Sequence, residues 1–156
     1  MKDFISKLFQ ITDPGRLAAL KRIFGTGGSE VEGLKILAGL GVKVSDSIES
    51  IPYKIVSYIY GRKIPNEKVG NIANSFHHAA FIKEKGAKEN GKLSFDSRFD
   101  ALLASRDYTA LKNHLIKISP FLDEHSIDYE ILLRDLITWS PDVRDRWIET
   151  YYQPGE

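Results

Sequence analysis

The chain has 156 residues, 42% of them hydrophobic and 28% charged, with a net charge of +1 and no cysteine. That length suits one ordinary domain or two small helical lobes that share a core, and the lack of cysteine excludes disulfides, thiol nucleophiles and thiolate zinc sites. No apolar run reaches membrane-spanning length, and charges at Lys2, Asp3 and Lys7 break up the start, so a cytoplasmic protein without signal peptide or membrane contact is expected.

Asp13-Pro14 reads as an N-cap followed by the first helical residue, and Leu17, Leu20 and Phe24 recur at helical spacing up to Gly25. GTGG at 25–28 lacks the preceding strand and following lysine of a phosphate-binding loop, so it reads as a turn. Ser29 and Glu32 form a candidate capping box ahead of Leu34, Ile36 and Leu37, closing near Gly41. Pro52 opens PYKIVSYIY, which stops at Gly61. A further helix is expected from Glu67 to Lys83 with Ile72, Phe76, Ala79 and Ala80 inward, and then KEKGAKENGK, 83–92, has the composition of a mobile solvated loop.

Beyond it come SFDSRFDALLAS, DYTALKNHLIKI, IDYEILLRDLITW and SPDVRDRWIETYY, the last with Ser140 as cap and Pro141 in the first turn. Almost nothing alternates with period two, and no internal repeat is visible. The expected fold is an all-α bundle of about eight helices, divided near residue 92 into a basic lobe, 1–92, and an acidic lobe, 93–156. The first carries 15 basic against 9 acidic residues, the second 7 against 12. Such polarity suits a basic surface for a polyanion, and chance sampling gives it as readily.

Trp139 falls in helical phase with Leu132 and Leu136, and Trp147 with Val143 and Tyr151, which places both tryptophans in the core rather than on a stacking surface. Arg134 faces outward, four residues after Glu130, as an exposed pair. The adjacent His77 and His78 cannot both face one metal from a helix, and His114 and His125 stand apart. HExxH and GxSxG are absent, and Asp123 with Glu124 is an ordinary surface pair. No catalytic residue, metal or cofactor is expected. The basic residues are more informative: Arg16, Lys21 and Arg22 lie off the Leu17, Leu20, Phe24 stripe, and Arg62 and Lys63 follow the helix that contains Lys54. They could contact phosphates, or equally solvate helix ends and complement the dipole.

In order along the chain, RLAALKRIFG, KVGNIANSF, RFDALLASRD, LLRDLITW and VRDRWIETYY resemble the CasB-type small subunit of the type I-E CRISPR surveillance complex, Cascade. The resemblance covers most of the chain from about residue 14, and its most specific part is the C-terminal half. It implies an all-helical, non-catalytic protein, two copies of which line the complex beside the guide RNA backbone and help hold target DNA and displaced strand. The implied partners are other Cascade subunits, guide RNA, target DNA and a second copy of the chain. Lys21 and Arg22 match the family's double basic position, Lys112 and Lys117 fall in a helix where relatives have arginines, and Arg98 and Arg144 match arginines of their motifs, Arg144 bordering the Trp147 stripe. The chain is less basic than many relatives, and its 83–92 segment is longer. Without the resemblance, a helical protein-interaction adaptor that makes no nucleic-acid contact fits the same residues.

Overall fold

The computed structural model describes the backbone of residues 2–86 and 89–153 and the side chains of 3–80 and 95–153. The described residues form α1 (Lys2–Phe9), α2 (Pro14–Lys21), α3 (Val31–Gly39), α4 (Ile51–Gly61), α5 (Ile72–Gly86), α6 (Glu89–Leu103), α7 (Tyr108–Ile118), a 3-10 turn (Ser119–Leu122), α8 (Tyr129–Ile137) and α9 (Pro141–Tyr152). The all-α expectation holds. Among these helices none is long and apolar enough to cross a membrane.

Short side chains fix where the helices start. The carboxylates of Asp13, Asp107 and Asp128 accept hydrogen bonds from the amides of Arg16, Ala110 and Ile131, and the Ser140 hydroxyl accepts one from Val143. Each satisfies an amide that the first helical turn leaves without a partner. The capping box at Ser29 and Glu32 is not formed. Glu30 is the N-cap of α3 and makes no side-chain cap, the Ser29 hydroxyl donates to the Thr26 carbonyl, and Glu32 pairs with Lys35 at 3.1 Å. The reason is the turn before it. Gly27 and Gly28 both take positive φ, so the chain enters α3 already coiled, with Glu30 in helical rather than extended conformation.

The 83–92 segment is also shorter as a loop than its composition suggests, because α5 runs through Gly86 and α6 begins at Glu89. Residues 87 and 88 lie outside the described residues. The helix expected from Glu67 begins instead at Ile72, and α1, at Lys2–Phe9, is a helix that the sequence did not lead one to expect.

At the centre is α4, which packs against α2, α7 and α8. Its sequence IPYKIVSYIYG leaves room for this, since Ile51, Ile55, Val56, Ile59 and Gly61 are all buried. One apolar core runs from Phe4 to Tyr151. A parallel bridge at Asn66 and Ile127 stitches the segment after α4 to the start of α8, and the buried Tyr129 hydroxyl donates to the Ile64 carbonyl at 2.6 Å.

Both tryptophans join this core. Trp147 is completely buried and Trp139 half-buried, with ring centroids 4.9 Å apart. The Trp147 indole donates to Asp135 at 2.9 Å, and the Trp139 indole to the Ser105 carbonyl at 3.1 Å. Asp135 is only 2% exposed, with Arg134 at 3.6 Å and Arg146 at 4.0 Å. A buried carboxylate needs such compensation. Arg134 therefore serves Asp135, and the expected pairing with Glu130 does not form.

Candidate nucleic-acid interface

Two helix ends meet at Gly61. A β-carbon there would lie 2.7 Å from the Lys21 amide nitrogen and 2.8 Å from the Leu17 carbonyl oxygen, so glycine is what allows α2 and α4 to approach this closely. The crossing brings Lys21 and Arg22, at the end of α2, beside Arg62 and Lys63, at the end of α4. Lys63 takes φ +67. Glycine is usual in that left-handed position after a helix, so the lysine places charge there at some backbone cost.

A second set adjoins the first. The pairings Glu49 with Tyr108, Lys54 with Lys112 and Arg62 with Asp123 follow the same order along the chain, so α4 and α7 run in the same direction. Lys112 stands 5.4 Å from the centre of the Phe24 ring, Phe24 lies 6.0 Å from Tyr58, and Arg62 lies 5.9 Å from the Tyr58 ring. Burial, and then the neighbouring Lys112 ammonium, push the Lys54 amine below its ordinary range. Two ammoniums held in mutual repulsion on a half-buried frame are a place where a phosphate would be welcome.

The convergence therefore includes Lys21, Arg22, Lys54, Arg62, Lys63 and Lys112. Their exposures differ. Lys21, Arg22 and Lys63 are exposed and make no ion pair with a described residue, whereas the Arg62 side chain is only 14% exposed and grips Asp123. Burial lowers the Arg62 pKa, and its hydrogen bonds to Asp123 and Tyr58 more than reverse this, so the guanidinium titrates above its ordinary value. Arg16 is exposed in the first turn of α2 and Lys117 in the last turn of α7. Arg98, on α6, lies 5.4 Å from the Phe121 ring centre. Arg144 belongs elsewhere: it pairs with Asp145 at 3.0 Å and lines a cleft of about 440 Å³ with Ser105, Arg106 and Trp139.

The aromatic pair Phe24 and Tyr58 was not legible as part of this surface, because helical phase assigns Phe24 to the inner stripe. Both rings are half-buried, and the cations on either side make them part of the ridge.

His77 contacts the Tyr151 ring at 5.9 Å, and His78 and His125 line a separate cleft with Glu67 and Glu124. Among the described residues no group of three or more histidine, aspartate and glutamate side chains could hold a metal ion.

The model of the family CRISPR-associated protein Cse2 matches residues 16–152. The crystal structure of CasB from M. ruber superposes with a TM-score of 0.71 at 20% identity, over 96% of this chain and 90% of that one. A CRISPR-associated protein of the Cse2 family from Thermus thermophilus gives 0.67 at 23% identity, and a structure of CasB from Thermus thermophilus gives 0.63 at 23%, each over 97% of this chain and 96% of the other. At these identities the likeness shows a common fold. No curated protein gives a significant match. With its sequence matched over residues 16–152, the chain belongs to the CRISPR-associated Cse2 family, and its helices are arranged as in the CasB structures.

Proposed function

We propose that this chain is the non-catalytic small subunit of a type I-E Cascade ribonucleoprotein in the cytoplasm. There it holds nucleic-acid backbone and steadies target DNA and displaced strand while the guide RNA pairs, as part of antiviral defence. Its partners in this reading are the other Cascade subunits, guide RNA, target DNA and a second copy of the chain. Membership of the Cse2 family supports the place in a CRISPR complex. The contact with nucleic acid rests on one observation, the cationic ridge in which Lys21, Arg22, Lys54, Arg62, Lys63 and Lys112 converge from three helices.

Phosphate contacts need positive charge on a rigid frame and no base-specific geometry, which is what the ridge offers. Arg16, Lys117 and Arg98 extend the same reading along α2, α7 and α6, and Arg144 would make a separate contact. The division near residue 92 then leaves most of the grip in the basic lobe, with Arg98, Lys112, Lys117 and Arg144 supplied by the acidic one.

A salt titration tests this. Affinity for mixed-sequence duplex DNA should be nearly indifferent to sequence and should fall with log salt by about one unit per phosphate neutralised, or about four to five units for the five ridge cations other than Arg62, which Asp123 occupies. Binding that ignores salt, or no binding even in the assembled complex, would remove the nucleic-acid role and leave a protein-interaction adaptor.

A further inference from the structure

The opposite end of α4 carries the opposite charge. Where the ridge gathers cations at Gly61, the start of the helix borders a cavity of about 310 Å³ whose lining includes Asp3, Asp46, Glu49, Ser50 and Tyr53. Eleven residues separate the ends, a helix about 16 Å long. We propose that this cavity receives a lysine or arginine side chain of a partner polypeptide within the complex.

Charge is the first ground. Among the described side chains of the lining, three carboxylates, Asp3, Asp46 and Glu49, stand against one ammonium, Lys43. The N-terminus of α4 opposes a cation with the equivalent of about half a positive charge, too little to cancel the excess of carboxylates. Asp46 is held in place by accepting from the amides of Ile48 and Glu49, at 3.2 and 2.9 Å.

Ser50 is the second and independent ground. It is 2% exposed, lines the cavity, and its hydroxyl has no hydrogen-bond partner. A serine at an N-cap ordinarily accepts from the helix amides, but Ser50 has helical φ and ψ and makes no such bond. Its oxygen is thus left unsatisfied beneath the lining of an acidic cavity, an acceptor for an ammonium or guanidinium N–H once the side chain turns toward the opening.

The apolar part of the site suits a side chain with a hydrocarbon stem rather than a bare ion. Phe4 and Tyr53 meet edge to face at 5.1 Å in its wall, Leu40 and Val42 line it, and Ile48 nearby is 52% exposed. Lysine and arginine lay such stems along apolar surface while their charged heads reach polar groups. The site lies apart from the ridge, and it does not depend on nucleic acid being bound there.

The test uses the full chain co-expressed with the other subunits of its complex. Asp3→Lys with Glu49→Lys should lower retention of the chain in the purified complex by about tenfold. The melting temperature and DNA affinity of the isolated chain should stay as in the wild type, which separates this outcome from failure of the ridge. The milder pair Asp3→Asn with Glu49→Gln keeps the test usable if charge reversal unfolds the chain: it should weaken retention and flatten its dependence on salt. Ser50→Ala should weaken retention in the same direction. Unchanged retention in a folded charge-reversal variant, or in the neutral pair, would overturn the proposal. So would unchanged retention accompanied by a rise in the wild-type chain's melting temperature with spermidine, since the occupant would then be a small polyamine.

Discussion

Arg62 and Asp123 are joined by two hydrogen bonds, 2.7 and 3.3 Å long, which tie the end of α4 to the residue following the 3-10 turn. The pair compensates a cation of the proposed ridge from within the protein. Asp123 is half exposed, so solvent screening limits the contribution of the bond to about 1 kcal/mol or less. Asp123→Asn should therefore cost little stability while releasing Arg62 toward phosphate. Duplex DNA affinity should rise and its salt slope steepen by about one unit. Unchanged DNA affinity would mean that Arg62 is a strut between α4 and the 3-10 turn and nothing more.

Removing Lys21 and Arg22 together acts in the other direction. Both side chains are exposed, so alanine at the two positions should leave the thermal melt within error. Retention of target DNA by the assembled complex should fall, and the duplex salt slope of the chain should flatten by about two units. If the double variant holds DNA as the wild type does, this helix edge only solvates the surface.

Gly61→Ala tests the geometry rather than the charge. The added methyl meets backbone atoms of Lys21 and Leu17, which cannot rotate away, so α2 must shift from α4. A loss of about 1 to 3 kcal/mol is expected in chemical denaturation. Weaker DNA binding is also expected at temperatures where the variant is folded, although every cation is retained. Full stability and full binding together would show that the close crossing has no role in either.

The tryptophans separate packing from binding. Trp147→Ala removes a fully buried ring and leaves Asp135 without its indole donor, so a loss of about 3 to 5 kcal/mol is expected. Trp139→Ala should cost less, because its ring is only half-buried. Loss of DNA binding should follow the fraction unfolded in both. An alanine variant that melts normally yet releases DNA would relocate the binding surface to the C-terminal helices.

Alkaline pH should weaken the fold. Burial raises the phenol pKa of Tyr60, Tyr108, Tyr129 and Tyr151, in Tyr151 with further help from Asp96. Unfolded tyrosines titrate near 10, so above that pH the unfolded chain loses protons that the folded chain keeps. The stability these phenols provide is complete below about pH 10 and is lost as pH rises through their folded values. Lys54 runs the other way, since its lowered amine makes stability rise with pH up to its ordinary value of 10.5. One partly exposed lysine against four phenols leaves a net loss. Melting temperature followed with phenolate absorbance should fall steeply above pH 10, and the slope should be shallower in Tyr129→Phe, itself less stable for want of its bond to Ile64. A melting temperature flat through this range would contradict the assigned burial.

What could be read from the chain alone was local. Asp13-Pro14 and Ser140-Pro141 marked true helix starts because a cap needs only residues within one turn, and the inward positions Ile72, Phe76, Ala79 and Ala80 followed from helical phase. The same logic put Trp139 and Trp147 in the core. Ser29 and Glu32 misled because the two positive-φ glycines before them set the entry to α3, and residue type does not reveal those angles. The lysines and glycines of 83–92 suggested a long loop, although helix continues into that stretch from both sides, to Gly86 and from Glu89. The basic positions could be named from sequence, but their neighbours could not. That Arg62 meets Asp123 and that Lys54 faces Lys112 depend on α4 packing against α7, and that Ser50 lies unpartnered near Asp3 depends on α1 meeting the start of α4, contacts between segments up to about sixty residues apart. Charge is a property of each residue, whereas compensation and accessibility belong to pairs brought together only when the core closes.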